Sequence, residues 1–435
     1  MTATPFLTAA DDARLNIRGS RDPLGFVPLW GHVGRSIVGN LTTATTSVRG
    51  FTSLMLGYYF AEEFTPGGRE SDAFRLSAFL KFEQISAYAR WHVNNDGELR
   101  GIREVRRRLE EQGPIRISAD SAGQIMSNQK IYGLWGLYTM PARASGIIAH
   151  DALQLTPEAR EFTESQPLRV LTKALPEAVA QIRQILRDGR GEIIPDGRDL
   201  GLLRALAKAL RPSFEATERA FYQRHLVRGG ANAPNWQPVF AALVERHLPS
   251  NEEFCLKHVL QLIEQARSIG ENDLANHLES IRALEALLVP AARLFGYAQA
   301  RDGATPKTVA EELGRAWRGG LSHVNPAAIA ELATVITEVY GDATAGVRLQ
   351  GLATALHNGS FDQALELCLA HNEFVMRSRN SSEPWVVISN GVLDVRYRDG
   401  SVAALVARNV IAETWQNSFY LTPVKWFVDQ LRITP

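Results

Sequence analysis

Apolar residues recur at three- and four-residue intervals along most of the chain, which is the spacing of amphipathic helices. This spacing predicts a helix near residues 27–38, an apolar helix over 49–63 and a closing helix over 421–431. It is clearest over residues 71–95, where the large apolar side chains fall near one helical face: Phe74, Phe79, Phe82, Ile85 and Tyr88. The chain is therefore predicted to be mostly helical.

From residue 168 to residue 378 one predicted helix follows another, and Gly, Pro and Asn mark the breaks between them. The helices are expected over 168–187, 200–226, 236–248, 252–268, 272–299, 306–317, 325–340, 343–357 and 361–377. Their spacing is irregular and has no fixed repeat period, unlike a tetratricopeptide or armadillo array. This region is predicted to be an all-helical domain or scaffold.

The last part of the chain changes to an alternating pattern. Two apolar runs, at 385–389 and 392–397, flank Asn390 and Gly391. An Asn-Gly pair between such runs is the strongest short-range sequence signal for a β-hairpin. A small C-terminal hairpin followed by helix is therefore predicted.

Residues 99–165 have the pattern of a winged helix. Thr156 is a good helix cap and Pro157 suits the first helical position, so a helix is expected to begin there. The preceding elements are expected to be a helix over 99–111, a strand at 115–117, a helix over 121–138 and two wing strands at 145–148 and 153–155.

The expected fold is thus mostly α: multi-helical, with a winged-helix-like module and a small C-terminal α/β hairpin region. Four segments follow from the pattern. They are an N-terminal helical segment at 1–70, a winged-helix-like domain at 71–167, an all-helical domain at 168–378 and a hairpin plus helix at 379–435.

The chain has 435 residues, with 47 basic and 47 acidic side chains and a formal net charge of zero. This balance argues against a polybasic protein whose whole surface binds nucleic acid, although it allows a local basic face. The two cysteines, Cys255 and Cys368, form no CxxC motif and no Cys/His cluster with zinc-site spacing, so no zinc site or disulfide framework is predicted. The first residues lack signal-peptide features and no apolar run reaches about twenty residues, which predicts a cytoplasmic protein without a membrane partner.

The winged-helix pattern, together with its basic side chains, suggests duplex DNA as a partner. One helix would enter a major groove while arginines hold phosphates. A protein contact is the competing interpretation, because Glu104, Glu110 and Glu111 offset much of the positive charge. Pro141 is also expected to break the presumed recognition helix, and Tyr132 is expected in the core. The candidate nucleic-acid contacts are Arg103, Arg106, Arg107, Lys130 and Arg143.

Sequence signatures of catalysis are missing from the chain. It has no GxxxxGK[ST] loop, no GxGxxG after a strand, no HExxH and no GxSxG. No catalytic residue, cofactor or metal is therefore predicted. The hydroxyl-rich run at 42–47 is expected to cap the apolar helix that follows it. His371 and Glu373, two residues apart on a helix, point to different sides and are expected on a solvated or interface face.

The run RDPLGFVPLWGHVGRSIVGNLTTATTSVRGF, residues 21–51, resembles the opening of uncharacterised bacterial proteins found in phage-defence and restriction islands. Those families share an acidic-Leu-Gly opening, a Thr-rich turn and an Arg before an apolar helix. The matching positions here are 22–25, 41–43 and Arg49. The resemblance implies an accessory subunit that works beside a helicase, nuclease or methylase.

The leading hypothesis from the sequence is a non-catalytic, DNA-associated or scaffolding subunit of a bacterial multiprotein complex in anti-phage defence. Residues 70–165 would contact DNA, and the helical domain would hold partners. Two alternatives stay open. One is an enzyme whose active site is built from scattered residues of the helical domain, and the other is a purely structural adaptor between proteins.

Overall fold

A computed structural model describes residues 22–63, 70–187, 191–230, 236–379, 383–398 and 404–432. The chain divides into two compact units, each built from two separated stretches of sequence. Unit 1 comprises Met1–Ser36 and Glu253–Phe419, and unit 2 comprises Ile37–Glu252 and Tyr420–Pro435. The fold is mostly helical, as the sequence predicts.

The helices are α1 Phe26–Arg35, α2 Val48–Glu62, α3 Glu70–Asn94, α4 Ile102–Glu110, α5 Gln129–Tyr132, α6 Leu134–Ala144, α7 Pro157–Thr163, α8 Arg169–Ala174, α9 Ala178–Arg187, α10 Leu200–Ala209, α11 Ala216–Tyr222, α12 Gln237–His247, α13 Leu256–Ser268, α14 Asn272–Gln299, α15 Pro306–Ala316, α16 Pro326–Glu331, α17 Ala333–Tyr340, α18 Ala343–Asn358, α19 Phe361–Ser378, α20 Arg408–Glu413 and α21 Leu421–Leu431. The π-helical turns are π1 Glu164–Leu168 and π2 Gln223–Val227. The strands are β1 Ile115–Ile117, β2 Gly191–Ile193, β3 Val386–Ser389 and β4 Val392–Val395.

Helix α2 is buried along almost its whole length within unit 2. Its sequence is apolar nearly all round, and such a helix is stable only when neighbours cover every side. Helices α3, α6 and α7 pack against it. The ring centroids of Phe79 on α3 and Trp135 on α6 lie 5.1 and 5.3 Å from that of Tyr58 on α2. These aromatic contacts hold α3 and α6 against the central helix.

A buried ion pair joins α2 to α11 in unit 2. Arg49, which is 3% exposed, donates to the Glu218 carboxylate at 2.7 Å. Its other N–H groups donate to the carbonyl oxygens of Arg211 and Ser213, both at 2.6 Å. The guanidinium is thus occupied by protein groups, and this residue of the resemblance run contributes to the core of unit 2.

The long helix α14 is the centre of unit 1, where α1, α13, α16 and α19 pack against it. The Asp-Pro-Leu-Gly run at 22–25 begins α1, because the Asp22 carboxylate accepts from the backbone N–H groups of Phe26 and Val27 at 2.9 and 3.0 Å. Gly25 has a φ of 66°, and an added Cβ would lie 3.0 Å from the Tyr340 ring. A glycine is therefore needed at this close approach.

The same run is fixed from the other side by α17 and α19. Three side chains donate hydrogen bonds to backbone carbonyl oxygens of this run. Asn372 donates to that of Pro23 at 2.8 Å, His371 to that of Leu24 at 3.0 Å, and Tyr340 to that of Gly25 at 3.0 Å. His371 is 1% exposed, so its expected place on a solvated or interface face is wrong. Burial holds the pKa of His371 down at about 4. The acidic-Leu-Gly opening of the resemblance is a structural anchor in this fold.

The sequence prediction of most helices and of the C-terminal hairpin is confirmed. Strands β3 and β4 pair antiparallel, with Ser389 opposite Val392. Asn390 and Gly391 have φ angles of 51° and 80°, the left-handed pair that a tight hairpin turn requires. The helix over 272–299 is found with those bounds as α14.

The winged-helix arrangement is not confirmed. Strand β1 pairs antiparallel with β2, so Ile115 lies opposite Ile193, outside the predicted module. The expected wing is a single bridge between Ile148 and Leu155, both buried. The single helix predicted over 121–138 is wrong, because turns precede the separate helices α5 and α6.

Two local expectations in unit 2 are also wrong. Pro141 does not break its helix, since α6 continues to Ala144. The hydroxyl run does not cap α2 through its own side chains, because Ser47 at the cap position makes no such bond. The Tyr138 hydroxyl instead accepts from the N–H of Thr46 at 3.1 Å, and Gln430 accepts from that of Val48 at 2.9 Å. The backbone N–H groups at the start of α2 are therefore hydrogen-bonded to side chains that are distant in sequence.

Each of the two units combines distant stretches of chain, and the four segments expected from the sequence stay a prediction. Within the described ranges, no helix has the length and apolar character needed to cross a membrane. The first residues, on which the prediction of a cytoplasmic location depends, lie outside the described ranges.

Candidate functional site

Helix α4 carries three of the five candidate nucleic-acid contacts on its exposed side. Val105 is buried, whereas Arg103, Arg106 and Arg107 are exposed. The guanidinium of Arg106 lies over the ring of Trp91 on α3, 3.9 Å from the ring centroid. This cation–π contact holds Arg106 against the protein surface.

Arg107 is paired with two carboxylates, that of Glu104 on α4 and that of Glu111, the residue directly after α4. It donates to Glu104 at 2.9 and 2.6 Å and also pairs with Glu111. The hydrogen bond from Arg107 lowers the pKa of Glu104 to about 2, and Glu104 in turn raises the pKa of Arg107. A phosphate would have to compete with both carboxylates for this guanidinium.

A shallow cavity of about 350 Å³ adjoins the C-terminal end of α4. Three of the side chains lining it are arginines: Arg107, Arg108 and Arg116. Arg108 pairs with Glu104 at 2.6 Å, and Arg116 pairs with Asp120. Because each arginine has a carboxylate partner, the cavity has little excess charge with which to attract an anion.

The other two candidates, Lys130 and Arg143, lie on α5 and α6. Lys130 is exposed and Arg143 is half-buried. One terminal nitrogen of Arg143 lies 4.0 Å from the sulfur of Met140, and its Nε is enclosed without a hydrogen-bond partner. The five candidates therefore form two groups, on α4 and on α5–α6.

Glu83 on α3 supports α5 and α6 from inside unit 2. It accepts from the backbone N–H of Leu134 at 2.7 Å and from the Gln129 amide at 2.8 Å. Leu134 is the first residue of α6, so the carboxyl of Glu83 accepts from a backbone N–H group that has no partner within the helix. Gly133 allows the close approach, because an added Cβ would lie 2.7 Å from the Glu83 carboxyl oxygens. Burial raises the pKa of Glu83 to about 7.

Large apolar side chains are exposed on α5 and α6. Ile131, Tyr132 and Met140 are 52, 55 and 64% exposed. The backbones of α5 and α6 approach closely here, since a Cβ added at Gly136 would lie 2.0 Å from the Ile131 carbonyl oxygen, and Met140 follows Gly136 by one helical turn. We call the group formed by Lys130, Ile131, Tyr132, Gly136, Met140 and Arg143 the α5–α6 surface.

The sequence prediction missed the apolar part of this surface, because Tyr132 was expected in the core. Helical periodicity misleads here, since the chain turns at Gly133 between two short helices. One signal was available in the sequence. Residues 121–149 contain Lys130 and Arg143 but no Asp or Glu.

Neither a metal centre nor a known relative helps to assign the site. Among the described residues, no three or more His, Cys, Asp or Glu side chains are grouped so that they could hold a metal ion. A scan against protein-family models and searches of curated proteins and of solved structures found no match to this chain. The functional argument therefore depends on the geometry of the α5–α6 surface.

Proposed function

We propose that this protein is a non-catalytic scaffolding subunit of a bacterial multiprotein complex, in the anti-phage setting that the resemblance suggests. In this proposal the α5–α6 surface binds a protein partner. The observation that carries it is the exposure of Ile131, Tyr132 and Met140 on adjoining helices. Aromatic residues and Met are enriched in the cores of protein interfaces, and grouped apolar exposure is typical of interaction sites.

The contacts that the α4 arginines already make within the protein favour a protein partner over duplex DNA. Binding to DNA depends mainly on cations that neutralise phosphates. Arg107 is already paired with two carboxylates, and Arg106 lies on Trp91. The apolar centre of the α5–α6 surface, in contrast, gains free energy when a partner covers it.

Co-expression with the products of adjacent genes tests the proposal. The double variant Tyr132→Asp/Met140→Asp should weaken the complex by about thirtyfold or more, because loss of an interface hot spot costs about 2 kcal/mol or more. Val347→Asp is the matched control, since Val347 is 71% exposed on α18 of unit 1. Equal affinity of the wild-type protein and the double variant would contradict the proposal.

A gel-shift series between about 50 and 200 mM salt tests the alternative of DNA association. We expect no shift of duplex DNA at the higher salt concentration. A shift that persists there, disappears with Arg103→Glu/Arg106→Glu and survives in Tyr132→Asp/Met140→Asp would replace the scaffolding proposal with a DNA-binding one.

A further inference from the structure

Positive charge borders the apolar centre of the α5–α6 surface. Lys130 lies directly before Ile131, and Arg143 contacts the sulfur of Met140. Neither cation forms an ion pair within the part of the chain that the structure describes. Together with the absence of Asp and Glu from 121–149, this leaves the surface without negative charge of its own.

Arg143 has hydrogen-bonding capacity that the protein does not use. Its Nε is enclosed and has no partner, and its terminal nitrogen has only the weak sulfur contact at 4.0 Å. A guanidinium presents its N–H groups as a planar fork that matches a carboxylate. The enclosed Nε is out of a partner's reach, but a carboxylate of a partner would pair with the terminal nitrogens, whereas an apolar side chain would leave them unpaired.

The shape of the surface favours a helix as the bound element. It lies on α5 and α6 and contains no strand edge that could extend a sheet. Gly136 is exposed and carries no side chain, so a packed helix can approach the backbone of α6 closely at this position. The ten steps from Gly133 to Arg143 extend over roughly 15 Å, which corresponds to about three turns of a helical partner.

We propose that the α5–α6 surface binds an acidic amphipathic helix of a partner protein. The apolar face of that helix packs on Gly136 and covers Ile131, Tyr132 and Met140. A carboxylate on one edge pairs with Arg143, and another on the opposite edge pairs with Lys130. This inference rests on the proposed scaffolding function and specifies the chemistry of the partner.

Selection from a displayed library of helical peptides tests the inference. The library keeps an apolar stripe at i, i+3, i+4 and i+7 and randomises the flanking positions, and the full chain is the target. We expect enrichment of Asp and Glu at the flanks. Against Lys130→Glu/Arg143→Glu the enrichment should reverse to Lys and Arg. No acidic enrichment, or the same enrichment against both targets, would overturn the inference.

Binding of the selected peptide to single variants adds a quantitative test. Arg143→Ala should weaken binding roughly tenfold, and Arg143→Lys should restore only part of it, because an ammonium lacks the guanidinium fork. Arg103→Ala on α4 is the matched control and should bind like the wild-type protein. Peptide binding that is unchanged in Arg143→Ala would contradict the assigned contact.

The two proposals can fail separately. If Tyr132→Asp/Met140→Asp disrupts the complex with natural partners while Lys130→Glu/Arg143→Glu does not, scaffolding stands and the acidic partner is excluded. If neither double variant affects the complex, the scaffolding function at this surface is excluded as well.

Discussion

Glu83 connects the stability of unit 2 to pH through a single side chain. Its carboxyl is buried beneath the α5–α6 surface and is hydrogen-bonded to Gln129 and to the start of α6. Burial raises the pKa of this carboxyl to about 7 from the ordinary value of 4.5. Between these two pH values the folded protein keeps a proton that the unfolded chain has released.

The contribution of Glu83 to stability should therefore be fully present below about pH 4.5 and lost as the pH rises through about 7. The free energy involved is about 3 kcal/mol, from the size of the pKa difference. Urea unfolding of the wild-type protein and of Glu83→Gln from about pH 5 to about pH 8 measures it. The wild-type protein should lose stability relative to the variant across this range. Parallel curves would show that Glu83 ionises normally in the folded state.

At the scale of elements, connections between helices depend on close backbone approach as well as on turn conformation. Gly320, in the connection between α15 and α16, has a φ of 76° and lies against the end of α18. An added Cβ would be 2.1 Å from the carbonyl oxygen of His357. Gly341 ends α17 with a φ of 64°, but an added Cβ there would meet nothing within 4 Å.

These two glycines form a matched pair for substitution. Gly341→Ala should cost about 1–2 kcal/mol, which is the price of the left-handed conformation alone. Gly320→Ala should cost clearly more, about 3 kcal/mol or above, because backbone must also move away from the new methyl group. Chemical denaturation of both variants measures the difference. Equal losses would mean that the approach to His357 relaxes freely.

At the scale of the whole molecule, both units are discontinuous in sequence. Helix α21, at the end of the chain, packs in unit 2 against α12 and π2. Gln430 accepts from the N–H of Val48 at 2.9 Å and donates to the carbonyl oxygen of Thr46 at 2.7 Å. The fully or almost fully buried apolar side chains of α21 are Leu421, Val424, Phe427, Val428 and Leu431.

Deleting residues 420–435 should unfold unit 2. Each buried apolar side chain of α21 contributes about 1.5–3 kcal/mol, so their sum is comparable with the total stability of a domain, about 5–15 kcal/mol. Limited proteolysis should then cut within 37–252 before it cuts within 253–419. Adding a synthetic peptide of residues 420–435 in excess should restore protection by mass action. A truncated chain as resistant as the full chain would contradict this assignment of α21.

The sequence shows which charged residues are available for the candidate site, but it does not show which groups contact them. Arg103, Arg106, Lys130 and Arg143 lie at least partly at the surface. The pairing of Arg107 with two carboxylates depends on side-chain conformation. The exposure of Tyr132 depends on the orientation of two short helices, α5 and α6, which Glu83 supports from inside. A pattern of apolar positions cannot show which of those positions a neighbouring helix covers.

Short-range sequence patterns are enough to specify the local elements of this protein. Helix α14, the Thr156 cap of α7 and the Asn390–Gly391 turn follow from interactions among residues a few positions apart, and all three could be predicted. No local pattern specifies the pairing of β1 with β2, the place of α21 in unit 2 or the composition of the α5–α6 surface. These features depend on contacts between residues far apart in the chain. The apolar surface buried in such contacts selects one arrangement among many that the same local pattern allows.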